Sequence, residues 1–133
     1  MSRSFVCECH NISSFRWLCV LPINSLDNHQ CYCTIIGPGS IPWEIGNAFS
    51  AMFKRNRLSL EEAKRGLEIF MRIPLRYIEP DFANAISISQ KNNMYAYDAY
   101  FLDCAMRQKA PLMTLDTKLK SVSNDLKIPT LEV

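Results

Sequence analysis

The sequence predicts an α/β fold, and three observations predict it. After residue 40, apolar residues recur at helical spacing; short apolar runs bounded by proline or turn residues separate those stretches; and the two kinds of segment alternate. Such alternation implies a mostly parallel sheet with right-handed crossovers and helices covering both faces, an α/β/α arrangement. At 133 residues and 48% hydrophobic content, the chain is long enough for one domain with a real core, spanning 1–133, and leaves no room for a second.

Each element has its own signal. Pro42 suits a first helical turn, and Ile45, Ala48, Phe49, Met52 and Phe53 follow as one apolar stripe, with Asn47, Ala48 and Ala51 leaving space along it. Ser59 opens a second helix through a capping box with Glu62; Leu60, Ala63, Leu67, Phe70 and Met71 line its inner face, and Pro74 stops it. Leu75 to Glu79 reads as a buried strand. Asp81 caps a helix running to about Lys91, which Asn92-Asn93 breaks. A helix from near Asp98 carries Leu102, Ala105 and Met106 on one side. Pro111 to Leu115 is a buried strand, Thr117 to Lys127 a helix, and Ile128 to Val133 a closing strand.

Composition narrows the function classes. No apolar run approaches the ~20 residues that span a bilayer, and the start lacks the basic-then-apolar order of a secretory signal, so the expected location is cytoplasmic, with no membrane partner. Net charge is only +2, but 13 of the 15 Lys and Arg residues fall between Lys54 and Lys127. The cluster Lys54, Arg55 and Arg57 reads either as a solvated helix end or as a rim that contacts RNA phosphates. Cys7, Cys9, Cys19, Cys31 and Cys33 crowd the first 33 residues, and only Cys104 follows. The pairs Cys7/Cys9 and Cys31/Cys33, with His10 adjacent, suggest zinc, yet one intervening residue chelates awkwardly; buried free cysteines are the alternative.

Three acids, Glu44, Asp98 and Asp116, stand where a strand or loop hands over to a helix. Their segments read Pro-Trp-Glu-Ile-Gly-Asn-Ala-Phe, Ala-Tyr-Asp-Ala-Tyr and Thr-Leu-Asp-Thr-Lys-Leu. Each also has a structural reading: Glu44 complements the helix dipole, and Asp98 and Asp116 are favoured caps. Asp98 lies in an aromatic, apolar stretch where a carboxylate without a counter-charge is costly to bury, and a cation would remove that cost. Thr114 shares a strand face with Asp116 and would bond a ligand or water. Asp103, about 140° further round the helix from Asp98, is expected on the surface. In α/β sheets ligands bind beyond the carboxyl ends of strands, where gathered carboxylates would hold Mg²⁺ or Mn²⁺.

The three acid segments, in this order and separated by 54 and 18 residues, resemble the PIN-domain ribonucleases, most closely the small VapC-type toxins of toxin–antitoxin pairs. The resemblance covers about 39–133, and 1–38 are atypical of that family. It implies a PIN-like sheet of about five strands, with the first near Ser4 to Glu8 and the second near Tyr32 to Ile36. It further implies a metal-dependent endoribonuclease that hydrolyses RNA phosphodiesters, with Mg²⁺ or Mn²⁺ held by Glu44, Asp98 and Asp116 and with Thr114 and Asn47 orienting ligands or waters. Such a metal polarises the scissile phosphate and activates water, so no Ser, Cys or His nucleophile is required. An antitoxin protein and a homodimer through the helices from Pro42 to Arg72 are the implied partners. The family's first aspartate has Glu8 in its place, one methylene longer and followed by Cys9-His10, which implies weakened activity. Either the fold is divergent or the first ~35 residues are an altered reading of a more ordinary amino terminus, for which the composition shift argues. The alternative function is a non-catalytic PIN-like module that binds nucleic acid or protein.

Overall fold

A computed structural model describes residues 17–22 and 33–131. Within them the order is β1 (Trp17–Pro22), β2 (Cys33–Pro38), α1 (Ile41–Lys54), α2 (Leu60–Met71), β3 (Leu75–Ile78), α3 (Phe82–Asn92), α4 (Ala96–Gln108), β4 (Leu112–Thr114), α5 (Thr117–Asp125) and β5 (Thr130–Leu131). The α/β class expected from the sequence is present, and the expected elements after residue 40 appear within a few residues of their predicted bounds.

The five strands form one sheet in the order β3-β2-β1-β4-β5. β2 pairs with β3, and β4 with β5, in parallel; β1 pairs antiparallel with both β2 and β4. Four strands therefore run one way and the central one runs against them. The sheet is thus mixed, two pairings parallel and two antiparallel, where a mostly parallel one was expected, and connection length explains it. Only residues 23–32 join β1 to β2, whereas a parallel crossover takes a dozen or more residues. The segment Ser4 to Glu8, expected as the first strand, lies outside the described residues. β2 falls close to its expected place.

Helix ends follow local chemistry. Pro42 occupies the first turn of α1. Ser59 and Glu62 form the capping box of α2: the Glu62 backbone N–H donates to Ser59 Oγ (3.2 Å) and the Ser59 N–H donates to Glu62 Oε2 (2.8 Å). Asp81 caps α3 by accepting from the Asn84 N–H (3.1 Å), and Asn93 ends that helix in the left-handed region.

α4 lies at the centre of the core, with Phe101, Leu102, Asp103, Cys104 and Ala105 all buried. It packs on β1, β2 and β4 and pairs with α3. Asp103, expected on the surface, is wholly buried. The turn that carries it away from Asp98 directs it at α3: the Asp81 backbone N–H donates to its Oδ2 (2.8 Å), and the Asn84 amide donates to its Oδ1 (2.7 Å). Arg107 Nη1 stands 3.6 Å from the same carboxylate.

The expected apolar stripes are only half covered. In α1, Ile41 and Ile45 are buried and Phe49 and Met52 half-buried, while Asn47, Ala48, Ala51 and Phe53 face solvent. In α2, Ala63 and Phe70 are buried, but Leu60, Leu67 and Met71 are exposed. Helical spacing identifies one face; among the described residues, no element covers its outer half. Met106 of α4 is likewise exposed.

Candidate acidic site

Glu44 lies in the first turn of α1, half-buried. Ser40 caps the helix by position only: its hydroxyl makes no capping bond and donates instead to Glu44 Oε1 (2.7 Å). Asp98 sits in the first turn of α4 and is half-buried. It is not the cap, which is Tyr95. Asp116 is the cap of α5, accepting from the Leu119 N–H on Oδ1 (2.9 Å). Thr114, buried at the end of β4, accepts from the Asp116 backbone N–H on its Oγ1 (3.1 Å) and so fixes the turn that carries Asp116.

Sheet direction brings the acid-bearing segments to one edge. β2, β3 and β4 all point there, ending in Pro38, Ile78 and Thr114. Ser40 and Glu44 follow β2, and Asp116 follows β4. Two contacts bring the start of α4 to the same place. Tyr97 and Tyr100 share a pocket with Pro38, Ser40 and Trp43, and the Lys118 ammonium, two residues beyond Asp116, donates to the Asn93 carbonyl just ahead of α4. At this edge β1 begins rather than ends, and its sequence Trp-Leu-Cys-Val-Leu-Pro carries no acid.

Among the described residues, no three His, Cys, Asp or Glu side chains come close enough to form a ready metal cage. A hydrated Mg²⁺ does not need one, since it keeps several waters and takes one or two carboxylates together with substrate phosphate oxygens. Carboxylate oxygens are the donor type that such a hard cation takes. Glu8, and with Cys7, Cys9, His10 and Cys31 the zinc alternative, lie outside the described residues. Cys104 is no nucleophile: burial pushes its thiol up to about 12, with Asp103 beside it adding to the shift.

Asn47, on the exposed side of α1, lies one turn from Glu44. Lys54, Arg55 and Arg57 are exposed at the far end of the same helix, with Lys54 about 15 Å along the axis from Glu44 at the usual helical rise. Two features escaped the sequence reading. Ser40 supports Glu44, and its signal was a hydroxyl one helical turn ahead of the acid. The other is the aromatic pocket beside the edge, whose Trp43 and Tyr97 are chain neighbours of Glu44 and Asp98.

Comparison with family models, with curated proteins and with solved structures gives no match in any of the three.

Proposed function

We infer that the chain is a Mg²⁺- or Mn²⁺-dependent endoribonuclease of PIN-like, three-layer type that hydrolyses RNA phosphodiesters. The observation that carries this reading is the meeting of three acid-bearing segments, around Glu44, Asp98 and Asp116, at the edge where β2, β3 and β4 end. When bound, the metal supplies charge for the scissile phosphate and a more acidic water. The chain's own residues orient the ligands. Ser40 holds one oxygen of Glu44, and Thr114 and the α5 cap lock the Asp116 loop.

The reading extends to partners. RNA is the substrate, with Lys54, Arg55 and Arg57 available to phosphates further along the strand. The exposed Leu60, Leu67 and Met71 of α2 support a homodimer or the seat of an antitoxin protein in the cytoplasm. The alternative, a non-catalytic PIN-like binding module, draws on one observation: β1 brings no acid to the edge. Cleavage decides between them. Single-stranded RNA incubated with Mn²⁺ should be cut, the cutting should stop with EDTA, and Asp98→Asn or Asp116→Asn should reduce it at least a hundredfold. Binding of RNA without any metal-dependent cleavage would select the alternative.

A further inference from the structure

Beside the acidic edge lies a pocket of about 460 Å³, within the ~300–1,000 Å³ of small-ligand sites. Five of its eleven lining residues are aromatic, Trp43, Tyr77, Phe82, Tyr97 and Tyr100, so its ligand should present a flat π-face rather than an aliphatic chain. The rings are already arranged. Tyr100 forms T-shaped pairs with both Phe82 (centroids 5.6 Å apart) and Tyr97 (5.7 Å), which holds the three rings in fixed orientations. Trp43 is 75% exposed and Tyr97 52%, a cost that a stacked partner would remove.

Polar groups sit at the margin. Ser40 and Glu79 line the pocket, and Arg107, its side chain 45% exposed, donates to the Glu79 carbonyl (2.9 Å). Ser40 is also the residue that bonds Glu44. A ligand that reaches Ser40 therefore lies next to the residue that holds Glu44.

We propose that this pocket seats an unpaired nucleobase of the RNA, stacked on Trp43 and Tyr97, and so presents the attached phosphate to the acidic edge. The proposal rests on the ribonuclease reading for its ligand. Stacking on protein aromatics tolerates every base but requires the base to be out of a duplex, so the favoured substrate is single-stranded.

Binding measured in EDTA separates this proposal from catalysis. Fluorescein-labelled single-stranded RNA eight nucleotides long and an abasic oligonucleotide of equal length and charge are titrated with the protein, and anisotropy is read. The base-bearing strand should bind about tenfold more tightly. Trp43→Ala and Tyr97→Ala should each remove most of that advantage and leave abasic binding unchanged, while Trp43→Phe and Tyr97→Phe retain it. Equal binding of the two strands, no binding of either, or variants without effect would overturn the proposal. So would a Trp43→Ala variant that turns a dimer into a monomer while RNA affinity stays the same, because the pocket would then be a protein interface. Base-dependent binding with no Mn²⁺-dependent cleavage would retain the pocket and reject the ribonuclease.

Discussion

Asp103 carries a charge into the middle of the core, and the desolvation that this costs is offset by donors fixed in advance. The Asp81 N–H and the Asn84 amide each take one oxygen, and Arg107 adds a nearby cation. Asp103→Ala leaves those donors buried without an acceptor, so we expect a loss of about 3 kcal/mol in urea unfolding. The helical wheel indicates only that Asp103 points away from Asp98. What stands in that direction is α3, packed from a separate stretch of sequence, and residue spacing carries no information about it.

The helices divide by how local their causes are. The capping box of Ser59 and Glu62, the Asp81 cap and the break at Asn93 were legible because each is decided within five residues. Glu62 gives a test in pH. The Ser59 backbone N–H and hydroxyl favour its carboxylate, so its folded-state pKa lies below the ordinary 4.5. Its contribution is fully present above that value and is lost as pH falls through the lowered folded-state value. Glu62→Gln keeps the box without the charge, so the urea midpoints of the two proteins should draw together as pH falls below 4.5. Helix C-termini offer a second test. Lys109 (φ 51°) and Lys127 (φ 57°) adopt left-handed backbone after α4 and α5, where glycine is the usual residue. Lys109→Gly should add about 0.5–1 kcal/mol of stability, measured by denaturant unfolding.

Over the whole molecule, the acid segments and a place for them beyond the carboxyl ends of strands were legible, and the reversed direction of β1 was not, because strand direction depends on connections rather than on motifs. If the acidic edge holds a cation, Mn²⁺ at a hundred times its Kd should stabilise the folded protein by about 2.7 kcal/mol, visible as a rise in melting temperature. Asp98→Asn should abolish most of that rise; an equal rise in the variant would place the ion elsewhere. The exposed half of the α2 stripe makes a separate prediction. A self-complementary apolar patch favours association, so sedimentation should show a dimer and Leu67→Glu should shift it to monomer. A monomer at all concentrations would leave that face for another partner.

The reversed central strand has a consequence for the order in which the chain folds. β1 alone joins the β2–β3 pair to the β4–β5 pair, and Trp17 aligns with Thr114 near the other end of the described sequence. During synthesis β1 can zip to β2 as a local antiparallel pair, but its second edge must wait until β4 has left the ribosome. Until then a strand edge in the middle of the future sheet stands open to other chains. Closing that ladder pays a long loop-closure entropy late, so refolding should be limited by β4 docking, and aggregation during expression should compete with that step.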